Sequence, residues 1–536
     1  MKLLKLEIPK GTIRILEIGI ILLFAIFPLF FSFPYRINIF LSWEGAYRIA
    51  EGQTPFKDFG MPMGFAYWLI PAAFFKMFGP YLFTLIKAQS FINIISGLSF
   101  WWILKSLKVD GGIRLLSILV FSISYTFMNF WPWYNHSVIV FQLVAIAFFM
   151  AYSFSEKKIR LLYLALSGVF IFISVFTKQD GGGLGLAILL ALLAYHAIIE
   201  KKYLEALIFP AAFILTGLAF FLPFIDDGIL YWFNYGQEPH HSRLSAIDFI
   251  TDILGNSPWL KFYLFIIILL TINEANKGFI AFIKDKRKML FFLLTLGIMV
   301  EALLFQTTSY IPPDNNIFFH SFAFVFILSF LPVNFRWKNL SLLLVSIILV
   351  FVWWSGSYYK YIDRIVKRVL PVEEEKDFDK VSKSTFALGQ GKDSTFTDMT
   401  QWVYAGPELK AFQKIYMPES TVAGIKEIMD MQMVKNKPAD KLKVLNMSEL
   451  TPLAFEIPYE IKKGQPLWFH KGVALFDEEI ADFCESIENK EYDLVLFEDI
   501  PHLNNFYPYE VRDCLREHYQ LKNTFLAPRR PANATI

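Results

Sequence analysis

Long apolar runs recur along the first two thirds of the chain, separated by short polar segments. A helix needs roughly 17 to 25 apolar residues to cross a bilayer, and about eleven runs meet or approach that length. The predicted spans are Ile13–Phe33, Tyr81–Leu104, Leu115–Phe130, Ser137–Phe154, Leu161–Phe176, Leu184–Ile199, Leu204–Phe224, Leu260–Ile272, Met289–Thr307, Ile317–Leu331 and Leu340–Trp354. From about Tyr358 the pattern changes: charges become frequent and long apolar runs vanish. Asp363–Lys380 reads as a helical connector. Beyond it Lys441–Asn446, Leu467–His470, Leu494–Glu498 and Leu521–Leu526 read as strands, and Asp477–Glu488 and Tyr509–His518 as helices. Such alternation predicts a small α/β domain. The expected architecture is mostly α: a polytopic helical bundle over residues 1–357, then an α/β domain over 358–536. No Gly-rich phosphate loop and no internal repeat is visible.

Composition agrees. Of 536 residues 55% are hydrophobic and 18% charged, against about a quarter charged in soluble domains. The net charge of +3 gives no case for nucleic acid as a partner. Where the charges sit is more telling. One set of alternate loops carries Lys2, Lys5 and Lys10; Lys105, Lys108 and Arg114; Lys157, Lys158 and Arg160; Lys201 and Lys202; Lys277, Lys284, Lys286, Arg287 and Lys288; and Arg336 and Lys338. The other set is poor in basic residues. The positive-inside rule therefore predicts a cytoplasmic N-terminus and, with an odd number of spans, an extracytoplasmic C-terminal region. The first apolar run reads as an uncleaved span. Cys484 and Cys514 are expected as two unpaired thiols, because two cysteines make no disulfide framework and match no zinc spacing. No cofactor is predicted, although a divalent metal is compatible with the sequence.

The outer segments hold the candidate chemistry. The first, Pro34–Gly79, ends in an apolar stretch broken by Pro62 and Pro71 that is predicted to lie in the interface rather than to cross. Glu44 follows the first span closely, and partial desolvation there raises a carboxyl toward the range of a general base. A plain pairing with Arg48, one helical turn on, is an equally open role. Lys57 and Asp58 form a second pair. Lys178, at the outer end of a span, is a candidate for holding a phosphate, with Gln179 and Asp180 beside it; an internal Lys178–Asp180 pair is the alternative. Asn135 and His136 stand among belt aromatics. His240, His241 and Arg243 share a polar loop, where Arg243 has the geometry to grip a phosphate. Asp314 and His320 flank the start of the tenth span, with structural roles equally open.

The first outer loop resembles the GT-C superfamily of polytopic glycosyltransferases. The residues that carry the likeness are Glu44, then Gly52-Gln-Thr-Pro55-Phe56-Lys57-Asp58-Phe59, then a Pro-containing interfacial helix ending in Phe78-Gly79; Lys178-Gln179 adds to it. Its nearest groups are the protein mannosyltransferases and the bacterial lipid A aminoarabinose transferases. The resemblance implies a multi-pass enzyme of the bacterial cytoplasmic (inner) membrane. It would take a sugar from a polyprenyl phosphate to a lipid, glycan or protein acceptor on the outer face. Glu44 or Asp58 would then be the base, Lys178, Arg243 and Lys57 would face the donor phosphate, and Asn135, His136, Gln179, Asp180, His240, His241, Asp314 and His320 would line the substrate site. One departure stands out: relatives often carry Asp-Glu or Asp where this chain has Trp43-Glu44. Two other readings compete, a transporter or flippase of lipid-linked glycans and a polymerase or ligase of surface polysaccharide.

Overall fold

The computed structural model describes the chain except residues 1–6, 37–38, 128, 234–246, 248–249, 252–254, 256–257, 310–317, 334, 370–401, 439–441, 458, 473, 501–506, 529–532 and 536. Each predicted span is helical over most of its described residues, although the first ends early, with Phe33 in a strand. Eight are long and apolar enough to cross a membrane: Lys10–Phe30, Leu82–Ser106, Tyr134–Phe154, Arg160–Thr177, Gln179–Glu200, Tyr203–Asp227, Pro258–Asn276 and Lys286–Phe305. Three shorter apolar helices, Gly111–Thr126, Phe319–Phe330 and Leu340–Gly356, fill the remaining predicted places, and Ala66–Phe78 forms the expected Pro-containing helix of the first loop. We label the helices that frame the site α1 (Lys10–Ile26), α2 (Ile39–Ala50), α3 (Ala66–Phe78), α4 (Leu82–Ser106), α5 (Gly111–Phe121), α6 (Tyr134–Phe154), α7 (Arg160–Thr177) and α8 (Gln179–Glu200). Local chemistry fixes their ends: Asp110 Oδ1 accepts the Gly112 N–H at 2.8 Å and caps α5. A single π-turn, Ser122–Thr126, continues α5.

The basic segments meet at one end of the bundle. Ile8 N–H donates to the Lys338 carbonyl at 2.9 Å, and Lys338 lies 3.4 Å from Asp110. Arg287 donates to the carbonyls of Leu107 and Lys108 at 2.6 and 3.1 Å. Lys286 pairs with Glu200 at 2.8 Å, and Arg160 with Glu205 at 2.5 Å. A chain of contacts thus joins all six charge-rich segments, as expected if they share one membrane face.

The first outer loop and the C-terminal region meet through two small sheets. β1 (Phe33–Pro34) pairs in parallel with β4 (Ile415–Pro418), with Phe33 opposite Ile415, and β3 (Trp402–Tyr404) lies antiparallel on the far side of β4. β2 (Phe59–Gly60) pairs in parallel with β6 (Gln465–Pro466). A third sheet, ordered β5-β7-β9-β8 (Val444–Met447, Leu494–Asp499, Asn533–Thr535, Thr524–Leu526), belongs to the C-terminal region alone. Trp43, Phe56, Phe59 and Trp68 of the loop share one buried core with Phe412, Ile415, Leu445 and Leu467, while the bundle has a separate core. Helices Asp477–Glu488 and Tyr509–His518 form as predicted. Two readings are corrected. The strand expected at Leu467–His470 lies instead at Gln465–Pro466, because the Leu467 N–H and the Gly464 N–H turn to the Gly60 and Asp58 carbonyls at 2.9 and 2.8 Å. The two cysteines form a disulfide, since the Asp477–Glu488 and Tyr509–His518 helices pack with Cys484 and Cys514 facing one another at a Cα separation of 5.7 Å.

Candidate functional site

Helix α2 carries the loop's acid. Its neighbour Trp43 is fully buried, donates its indole N–H to the Pro80 carbonyl at 2.8 Å and stacks on Tyr47 at 4.5 Å. Trp43, the position at which the sequence departs from the resemblance, is therefore a packing residue. Glu44, only 4% exposed, turns toward the C-terminal region. Arg48 Nε and Nη2 both donate to Glu44 Oε1, at 2.9 and 2.7 Å. Oε2 accepts no hydrogen bond among the described residues. Burial raises the Glu44 carboxyl above its ordinary value, and Arg48 offsets that only partly. The two sequence readings of Glu44, desolvated acid and Arg48 partner, both describe it.

Glu44 and Thr451 line a chamber of about 20 Å³, room for one water molecule. A wider cleft of about 320 Å³ adjoins it, between α2 and residues 459–463, and shares Arg48, Tyr459 and Ile461 with the chamber. The junction is stitched by backbone acceptors of the C-terminal region: Arg48 donates to the Lys462 carbonyl at 3.3 Å and Gln53 to the Ile461 carbonyl at 3.1 Å.

Asp58 lies at the same junction. Its Oδ2 accepts the Thr54 N–H at 2.7 Å, closing the loop, and Oδ1 sits 3.6 Å from Lys463 Nζ. That is the setting of a turn residue. Lys57 points away: its side chain is 62% exposed, 3.9 Å from Asp227. Between them and the preceding turn, Phe56 adopts φ +66 and is held there by its N–H bond to the Phe59 carbonyl at 2.8 Å. Ring contacts with Phe65, Phe224 and Phe233 bury it.

Lys178 forms a second pole. It ends α7 and precedes α8, its Nζ is 3.2 Å from Asp180 Oδ2, and the ammonium lies over the rings of Phe305 and Tyr134 at 4.7 and 5.7 Å. Gln179 reaches the Pro62 carbonyl at 3.3 Å and ties α8 to the first loop. The ring contacts that lead from this pole to Glu44 run through Tyr134, Tyr67, Trp68 and Phe59, which lies under Arg48. An aromatic layer thus stands between Glu44 and Lys178.

His136 is buried near this layer. Its Nδ1 is 3.3 Å from Gln89 Nε2, its ring stacks on Tyr125 at 4.5 Å, and its Nε2 has no hydrogen-bond partner among the described residues. Asn135 Oδ1 is likewise buried without a partner. His320 sits apart, in a nest formed by Tyr263, 2.9 Å from its Nδ1, and the rings of Phe319 and Trp354. That is core packing. Arg243, His240, His241 and Asp314 lie outside the described residues.

One polar group escaped the sequence reading. Glu301 is buried in the Lys286–Ser309 helix and accepts a hydrogen bond from Gln142 Nε2 at 2.6 Å, with Oε1 unpartnered among the described residues. It stands one turn before Phe305, the ring under Lys178. A lone acid in an apolar run was the available signal. Among the described residues no three His, Cys, Asp or Glu side chains gather closely enough to share a metal ion.

No family model matches this sequence, and no curated protein does. Solved structures do. ArnT from Cupriavidus metallidurans bound to undecaprenyl phosphate superimposes with a TM-score of 0.51 at 8% identity, with 97% of each chain covered. The same protein in the apo state gives 0.53 at 7% identity, again covering 97% of each chain. The membrane bundle and the strand-bearing C-terminal region together have the ArnT fold, the one that the first-loop resemblance implied.

Proposed function

We propose that this protein is an integral-membrane glycosyltransferase that moves a sugar, hexose or pentose, from a polyprenyl phosphate to an acceptor outside the cytoplasm. The fold match to a protein that binds undecaprenyl phosphate supports the donor class. The observation that carries the reading furthest is Glu44: a desolvated acid with one free oxygen, in a chamber formed jointly by the first loop and the C-terminal region. In the step proposed, the acceptor hydroxyl gives its proton to Glu44 Oε2 while its oxygen bonds the anomeric carbon. The bond from that carbon to the phosphate oxygen breaks, and the electron pair leaves with the polyprenyl phosphate. The membrane domain (residues 1–357) and the outer domain (residues 358–536) both contribute. The cysteine pair supports an outer, oxidising location for the second domain, because disulfides persist there and are rare in the cytosol. The basic segments gathered at the opposite end fit a cytoplasmic face and residence in the cytoplasmic membrane.

Purified protein given a radiolabelled polyprenyl-phosphate sugar is expected to release polyprenyl phosphate, with Glu44→Gln slowing release by about 10²-fold or more, the contribution typical of a general base. Asp58→Asn is expected to cost far less. Equal loss in both, or none in Glu44→Gln, overturns the assignment of the base. Glu301 favours a second reading, since an acid buried among spans is what a flippase for lipid-linked glycans needs. Liposomes carrying a fluorescent polyprenyl-phosphate sugar separate the two: movement of the label between leaflets without sugar release supports the flippase.

A further inference from the structure

The cleft beside Glu44 has a chemistry of its own. It lies between α2 and residues 459–463, holds about 320 Å³ and is open to solvent at Glu51, Glu460 and Lys463. That volume falls at the lower end of small-ligand sites. Two positive groups, Arg48 and Lys463, face two negative ones, Glu51 and Glu460, so the lining is balanced in charge. Both cations are engaged, Arg48 with Glu44 at 2.7 Å and Lys463 with Asp58 at 3.6 Å. A phosphate or carboxylate site presents uncommitted Arg or Lys, and this cleft presents none. Tyr47 and Tyr459 add two aromatic faces. At its inner end the cleft meets the small chamber, where Thr451 is 4% exposed and its Oγ1 has no hydrogen-bond partner among the described residues. A buried hydroxyl left unpaired is unfavourable, so the position fits one that is completed by a ligand. Glu44 lines the same chamber, and its Oε2 accepts no hydrogen bond among the described residues.

We propose that this cleft binds the acceptor, and that the acceptor is an uncharged, polyhydroxylated glycan group, one of whose hydroxyls enters the chamber between Thr451 Oγ1 and Glu44 Oε2. The proposal rests on the transferase reading and narrows it to one acceptor class and to one site shared by the first loop and the C-terminal region. Tyr47 and Tyr459 stack on sugar faces, and the polar groups of Glu51, Gln53, Glu460 and Lys463 supply donors and acceptors for hydroxyls. An anionic acceptor meets two carboxylates with no free cation to offset them.

The test uses the full chain in nanodiscs and saturation-transfer NMR with two probe sets: maltotriose, cellotriose and N-acetylchitotriose, and, as anions, glucose 1-phosphate and trigalacturonate. At least one neutral sugar is expected to bind, and the anions to bind at least fivefold more weakly. Thr451→Val is expected to weaken neutral-sugar binding at least fivefold while leaving the thermal midpoint unchanged or higher, because it removes an unpaired buried hydroxyl; a purely structural residue moves neither in that way. The exposed pair Glu51→Lys with Glu460→Lys is expected to reverse the preference toward the anions. Stronger binding of the anions by the parent, no binding of any neutral sugar, or full binding by Thr451→Val overturns the proposal. Undecaprenyl phosphate binding, measured on the same samples, keeps the two readings apart. If it is present while neutral sugars fail, only the acceptor assignment falls; if it is absent, the transferase reading falls with it.

Discussion

Arg48 and Glu44 are both almost fully buried, at 1% and 5% side-chain exposure, and Arg48 directs two of its three nitrogens, Nε and Nη2, at one oxygen. Such a pair is costly to half-remove. Arg48→Met is expected to destabilise the fold by about 3–5 kcal/mol because it leaves a buried carboxylate uncompensated, and Glu44→Gln added to it to recover most of that loss; chemical denaturation of both variants reads the difference. The pH behaviour follows from the same geometry. Burial raises the Glu44 carboxyl and Arg48 pulls it down by less, so the net direction is upward. A base works deprotonated, so activity is expected to rise with pH through a midpoint above the ordinary glutamate value and to fall below it. A conservative Arg48→Gln change removes the lowering influence and is expected to move that acid limb further up in pH. An acid limb that does not move would mean that another group titrates. Phe56 shows a different residue-scale bargain. A non-glycine residue at φ +66 is strained by roughly 1–2 kcal/mol, and burial of a phenylalanine side chain, worth roughly 1.5–3 kcal/mol, holds it.

At the scale of elements, close approaches and one covalent link decide how the outer structure holds together. Gly64 donates its N–H to the Phe176 carbonyl at 2.8 Å, and a Cβ there would lie 2.0 Å from that same oxygen. Gly64→Ala is therefore expected to push the first loop off the end of α7 and to lower the thermal midpoint by several degrees in a melting assay. The Cys484–Cys514 bond closes a separation of 30 residues; Cys484→Ser with Cys514→Ser is expected to cost about 2–4 kcal/mol in the C-terminal region. These features also mark the limit of what the sequence displays. Helices were legible because apolar runs and amphipathic periodicity are local, down to Asp477–Glu488 and Tyr509–His518. β1 and β2 were not, since two residues such as Phe33–Pro34 carry no strand signature and their partners lie hundreds of positions away. The same holds for the site. Glu44 and Arg48 announce themselves by spacing, whereas Thr451 and Tyr459 join them only through a fold that no local pattern encodes.

For the molecule as a whole the decisive property is sidedness. The contacts that join Lys338, Asp110, Lys108, Arg287, Lys286, Glu200, Glu205 and Arg160 place the basic segments together, and the C-terminal region is bound by strand pairing to the loop that follows the first span. With the eleven spans that the hydropathy pattern predicts, the two ends of the chain are expected on opposite sides, and the positive-inside rule predicts the basic side to be cytoplasmic. The paired cysteines make this testable without removing any native thiol, because the chain's two cysteines are bonded to each other. A single new cysteine at exposed Lys426 in the C-terminal region is expected to react with a membrane-impermeant maleimide in intact spheroplasts, and one at exposed Lys157 in a basic loop only after the membrane is opened. The reverse pattern would place Glu44 and its cleft on the cytoplasmic side, where the disulfide would not persist, and would remove the outer-face transferase reading together with its acceptor. Labelling at both positions before opening would mean instead that the chain does not seal the membrane with the spans assigned, and the count of eleven would fail.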